Sequence, residues 1–201
     1  MSLTKVSYSM INGNVVNVKD FGAVGDGVAD DTAAIQAALD YAESTQGGRG
    51  QMVFAPTGQY RCTGKITVKG YTRFVGENYF STSLFWDSSY ASGDCVQLGP
   101  SALNPGRSFG SRIENMSLSG QDVYRGLDSA MVYTNTAQQF SGLYNVLIRR
   151  FRSIGVHLDT NAPGPANFSL FQVEMQGSAT APTAGSTIGL KCNSGGAYIY
   201  A

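Results

Sequence analysis

VNVKDFGAVGDGVADDTAAIQAAL, residues 16–39, is the stretch that decides how the chain is read. It divides into a short strand, a glycine-rich turn and an amphipathic helix. Val16, Val18 and Phe21 alternate with polar residues, as a half-buried strand does. Gly22, Gly25 and Gly27 permit the positive φ angles of tight turns, and Asp26-Gly27 is a turn pair. Asp30 stands where an N-cap carboxylate would accept from the unpaired N–H groups of the first helical turn. Asp31 adds negative charge at the positive end of the helix dipole. Ile35, Ala38, Leu39 and Ala42 recur at i, i+3, i+4, i+7, so a helix over about 30–44 has one apolar face. Its alanines predict close approach to a flat surface.

The wording Asp20-Phe21-Gly22-Ala23-Val24-Gly25-Asp26-Gly27, followed by Asp30-Asp31-Thr32-Ala33-Ala34-Ile35, resembles the N-terminal signature of the pectate-lyase-like superfamily. The resemblance implies an all-β fold: a right-handed, single-stranded parallel β-helix with an N-terminal capping α-helix. It leaves function open, because that superfamily includes lyases, hydrolases, epimerases and non-enzymatic tail proteins. Val6 to Gly13 resembles the leader that precedes this signature in bacteriophage tailspike and tail-fibre proteins. By that resemblance, residues 1–14 are a connector to other phage tail proteins and residues 15–201 are the β-helix domain. A frayed terminus is the competing reading of 1–14. The same resemblance implies a homotrimer and a place in the virion or outside the cell.

Composition narrows the classes. With 201 residues the chain can build one domain with a substantial core. Charged residues are only 14%, which suits stacked strands, where long charged side chains on adjacent coils would repel. The 14 basic and 14 acidic residues cancel, and no basic stripe points to nucleic acid. No apolar run of membrane-spanning length and no secretory leader is visible. Cys62, Cys95 and Cys192 have no Cys-x-x-Cys spacing, which argues against zinc or a disulfide framework. Cys62 and Cys192 read as small core residues. The spacing of Asp26, Asp30 and Asp31 does not match a calcium loop, so no metal and no cofactor is expected. Gly22 to Gly27 lacks the Gly-Lys-Ser/Thr ending of a phosphate loop.

Short strand-like runs follow the helix: 51–55, 60–62, 66–68, 73–76, 84–86 and 95–98, with a long polar excursion at 100–110. Then the chain repeats. Asn115-Met-Ser-Leu-Ser119, Asn145-Val-Leu-Ile-Arg149 and Gln172-Val-Glu-Met-Gln176 share one pattern, with starts 30 and 27 residues apart. Ile154-Gly-Val-His-Leu-Asp159 returns as Ile188-Gly-Leu-Lys-Cys-Asn193. Such periods indicate a solenoid with one coil per repeat. Met116, Val146 and Val173 should form one interior column, and Leu118, Ile148 and Met175 another. Val156 should lie over Leu190 and Leu158 over Cys192, while Asn115, Asn145 and Gln172 form an amide ladder. Ser117, Leu147 and Glu174, and then Ser119, Arg149 and Gln176, should point outward.

Chemistry has few carriers. His157, the single histidine, shares a strand face with Asp159, about 7 Å along the strand. Lys191 and Asn193 should lie one coil beyond. Glycoside hydrolysis needs two facing carboxylates, and Asp159 finds no obvious partner, since Glu174 belongs to another strand face. A polysaccharide lyase needs a base for the α-proton and a cation for the resulting enolate. His157, Asp159 and Glu174 are thus the catalytic candidates, and Arg149, Arg152, Lys191 and Asn193 the substrate-binding ones. A solvated outer face is the competing reading of each. Tyr71, Tyr79, Phe80, Trp86, Tyr90, Tyr124, Tyr133 and Tyr144 offer rings suited to sugar faces or to the core. The sequence stops in mid-pattern at Ala197-Tyr-Ile-Tyr-Ala201, so the β-helix is expected to continue in a longer chain or to meet another subunit.

The expected function is that of a tailspike-type protein that binds and degrades a bacterial capsule or O-antigen polysaccharide, as a lyase or a hydrolase. The alternatives are a non-catalytic structural or receptor-binding tail component, and a bacterial pectinase-like lyase or hydrolase.

Overall fold

The computed structural model describes residues 15–44, 50–99, 107–135, 137–159, 166–178, 187–193 and 197–200. The leader 1–14 lies outside them, as does most of the 100–110 excursion. The chain winds as a right-handed parallel β-helix with three faces. The first carries β1 (Val16–Asn17), β3 (Met52–Ala55), β6 (Arg73–Gly76) and then the leading halves of β10 (Arg112–Ser119), β13 (Ser141–Phe151) and β15 (Ala166–Gly177), ending on β17 (Ala197–Tyr200). The second carries β2 (Asp26–Asp30), β4 (Gly58–Arg61), β7 (Thr82–Phe85) and the trailing halves of β10, β13 and β15. The third is β5 (Ile66–Val68), β8 (Val96–Leu98), β11 (Ala130–Thr134), β14 (Ile154–Leu158) and β16 (Ile188–Cys192). A short pair, β9 (Arg107–Phe109) and β12 (Ala137–Gln139), precedes β10 and β13.

One strand serves two faces because it bends at a single residue. Asn115, Asn145 and Gln172 hold φ of 54°, 54° and 51°, the left-handed region that asparagine tolerates best after glycine. Before this bend β10 pairs with β6, and after it with β7. Asn145 Nδ2 donates to Asn115 Oδ1 at 2.9 Å, so the corner amides hold successive coils together. The interior register is the one that the repeats predict: Met116, Val146 and Val173 align, as do Leu118, Ile148 and Met175, Val156 with Leu190, and Leu158 with Cys192. Trp86, Tyr60, Phe74 and Phe168 fill the interior, and the polar ends of the first two are satisfied on Gly64 O and Pro56 O, each at 2.8 Å.

Several local expectations are corrected. The strand at Val16 stops after Asn17, whose Oδ1 accepts from Lys19 N–H at 2.9 Å and so starts a single 3-10 turn over Val18–Phe21. Asp26–Asp30 keeps the expected turn, with Gly27 at φ 81° and Asp26 Oδ1 accepting from Val28 and Ala29 N–H, but its two ends also pair with β4, so the stretch is strand β2 with a bulge. The helix α1 (Thr32–Ser44) follows Asp31, whose carbonyl accepts from Ile35 N–H. The buried Asp31 carboxylate turns away from the helix and accepts from Val24 N–H at 2.6 Å and Gly25 N–H at 3.0 Å. Asp30 accepts from Thr32 N–H and, at 2.5 Å, from Thr63 Oγ1, which ties the helix start to the second coil. The helix buries Ile35, Ala38, Leu39 and Ala42 at the foot of the core. Ser117, Ser119 and Leu147 occupy outward positions yet are buried. Cys62 and Cys95 are buried, but Cys192 is exposed, because among the described residues β16 is the edge of its face.

Arg125 is a staple. Its buried guanidinium donates to the carbonyls of Tyr90 and Gly120 at 2.8 and 3.0 Å, and also to those of Trp86, Asp87 and Val123. It binds the turn after β7 to the turn after β10 without a carboxylate among these partners.

Candidate functional site

The outer side of the third face gathers the polar groups. Strand alternation turns Tyr133, His157 and Lys191 outward at one register position on β11, β14 and β16. Two residues further along, Asp159 and Asn193 follow on the same side.

His157 is only 5% exposed, so the solvated reading does not hold for it. The Tyr133 ring lies against it, with centroids 5.4 Å apart at 57°. Its Nε2 is 3.1 Å from Asn193 Nδ2. An amide NH₂ only donates, so Nε2 accepts and the ring proton sits on Nδ1. Nδ1 is buried and has no hydrogen-bond partner among the described residues. Burial and the charge of Lys191 hold the imidazole below its ordinary value of 6.5, so it is neutral at pH 7. Lys191 Nζ pairs with Asp128 Oδ1 at 2.8 Å. Tyr133 Oη donates to Asp159 Oδ2 at 3.4 Å, and burial, then Asp159 and Asp94, push the phenol up. Asp94 accepts from Ala130 N–H at 2.8 Å, and burial raises its carboxyl.

The structure therefore brings together four of the seven candidates, His157, Asp159, Lys191 and Asn193. Glu174 and Arg149 lie on the second face, one on β15 and the other on β13, and Arg152 lies in the turn between β13 and β14. Sequence reasoning missed Asp94 and Asp128, and took Tyr133 only as one of eight rings suited to sugar faces or to the core. A signal existed for the two acids: each stands two residues before a strand of the third face, β8 and β11. Among the described residues, His, Cys, Asp and Glu form no cluster suited to a metal ion. The chemistry on offer is a neutral imidazole flanked by a phenol and an ammonium group.

The comparisons with known proteins agree on architecture. The family model described as rhamnogalacturonase A/epimerase, pectate lyase-like, matches residues 15–162. Mannuronan C5-epimerase AlgE1 of Azotobacter vinelandii is 51% identical over 67 residues, which are 30% of this chain and 5% of that protein. The A-module of mannuronan C-5 epimerase AlgE6 of the same organism superposes with a TM-score of 0.57 at 25% identity, over 80% of this chain and 44% of the module. ORF18 of Geobacillus virus E2 shares the fold, with a TM-score of 0.51 at 24% identity over 81% of this chain and 37% of that one. The chain thus spans only a small part of the curated relative and less than half of either solved structure.

Proposed function

Because the chain belongs to the rhamnogalacturonase A/epimerase family of pectate-lyase-like proteins, we propose that it is part of a tailspike-type protein that binds and chemically modifies a bacterial surface polysaccharide. The reaction class we favour is proton abstraction next to a uronate carboxylate. The observation that carries it is neutral His157, held in register between Tyr133 and Lys191. A base at near-neutral pH must be unprotonated, and His157 is. A substrate that displaces the Asn193 amide from Nε2 gives that nitrogen the sugar proton. The C–H electrons then pass into the carboxylate as an enediolate, and Lys191 balances the charge when the substrate carboxylate takes the place of its exposed partner Asp128. Expulsion of the neighbouring sugar, whose oxygen takes the proton back from the His157 imidazolium, gives a lyase product; delivery of a proton from water to the other ring face, with His157 losing its proton to solvent, gives an epimer. The name mannuronan C5-epimerase of one relative fits this class of chemistry. Hydrolysis is less well served, because Asp94, Asp128 and Asp159 are already held by Ala130 N–H, Lys191 and Tyr133. The tail setting, a homotrimer joined to other phage tail proteins through the leader, rests on the tailspike resemblance of Val6 to Gly13.

The test is to incubate the chain with polyuronates, capsule and O-antigen in D₂O, following unsaturated-uronate absorbance, reducing ends and deuterium at the sugar α-carbon. Turnover is expected on a uronate polymer, with a loss of about 100-fold or more in His157→Gln. Silence on every polymer would leave the structural or receptor-binding rod as the reading.

A further inference from the structure

A second polar groove lies away from the third face. The coil of β6 and β7 turns its corner through an inserted segment, residues 77–81, where later coils turn through Asn115, Asn145 or Gln172 alone. Gly76 permits this: a Cβ there would strike the Asn115 carbonyl, so only glycine lets the next corner pack against the start of the insertion. The insertion is internally fixed. Asn78 Oδ1 accepts from Phe80 N–H at 2.8 Å, Asn78 O accepts from Thr82 N–H at 2.8 Å, and Glu77 Oε2 accepts from Thr57 Oγ1 at 2.8 Å. It carries Tyr79 and Phe80 as an adjacent pair of rings, 4.2 Å between centroids, with Phe80 79% exposed.

Tyr79 forms one wall of a groove of about 360 Å³ whose other sides are residues 145–147 and 172–174. Its make-up is amphiphilic. Tyr79 supplies an aromatic wall, and the buried Leu147 and partly buried Val173 an aliphatic floor. Glu174 and Gln172 supply exposed acceptors and donors, and Glu174 Oε1 is oriented by Gln176 Nε2 at 2.6 Å. A pyranose has the matching character: C–H groups on its faces and hydroxyls at its edge. Glu174 is the one formal charge on these walls, so a uronate carboxylate would meet repulsion here and no cation.

We propose that this groove is a saccharide-binding subsite for an uncharged sugar unit, separate from the proton-abstraction site. It rests on the reading of the protein as polysaccharide-acting, but it makes a different demand on the polymer: a repeat that contains a neutral residue as well as a uronate.

Saturation-transfer NMR tests it, with methyl glycosides of glucose, galactose, mannose and their N-acetyl forms, and an oligouronate as the charged probe. The wild-type chain should show transfer to at least one neutral glycoside. Tyr79→Ala should weaken that binding by about tenfold, while His157→Gln leaves it unchanged. Glu174→Gln should keep neutral binding and admit the oligouronate. Polymer turnover measured on the same variants separates the two readings: loss of turnover in His157→Gln alone speaks only to the third face. No transfer to any neutral glycoside, or transfer unchanged in Tyr79→Ala, overturns the subsite.

Discussion

His157 couples the candidate chemistry to stability. Its folded value lies below 6.5, so as pH falls through 6.5 the unfolded chain takes up a proton before the folded one does. The stability present above 6.5 is therefore lost as pH falls toward the folded value, and levels off below it. Urea midpoints should fall between about pH 7.5 and 5.5 in the wild type, and that step should flatten in His157→Gln. A second residue-scale prediction concerns the thiols. Cys62 and Cys95 are buried, and burial pushes Cys95 up to about 12, whereas Cys192 is exposed. A thiol reagent should label Cys192 in the native chain and reach the other two only on unfolding. That difference was not legible in the sequence. Cys62 and Cys192 both sit at inward strand positions, and only the stacking order separates them.

The corners and staples decide element stability. Arg125 satisfies its guanidinium on carbonyls, so Arg125→Lys keeps the charge but cannot span the same acceptors. A cost of about 2–4 kcal/mol in chemical denaturation is expected, with little dependence on salt, because no ion pair is being screened. The repeats were legible because β10, β13 and β15 bend within one residue, which keeps 115, 145 and 172 in phase. The β2 strand was not: Asp26-Gly27 does turn, with Gly27 at φ 81°, and only the pairing of Asp26 and Asp30 with β4 on either side of that turn makes the stretch a strand. Tyr133 was legible as a ring but not as a neighbour of His157, for a related reason. Ala130–Thr134 departs from the Ile-Gly pattern of β14 and β16, so its place above His157 came from pairing and not from wording.

In the whole molecule, each coil's apolar residues rest on those of its neighbours, so stability is a sum of coil-to-coil contacts. Ile148 is fully buried between Leu118 and Met175, and Ile148→Ala should cost about 2–5 kcal/mol. Leu190 in β16 is only half-buried, and Leu190→Ala should cost clearly less, which the shift in urea midpoint would show. The fold could be read from the sequence because strand and corner spacing are properties of one chain segment. The candidate site depends on side chains from three coils, and no single repeat contains it. The contrast between a five-residue corner at 77–81 and one-residue corners after it also bears on descent. An insertion at Asn145 would break the amide bond to Asn115 and shift the phase of the next coil, so lineages that gain one there should be lost. Replacing the 77–81 segment leaves every later coil in phase. Related proteins should therefore diversify in length and aromatic content at this corner, exchanging one short wall on an unaltered frame.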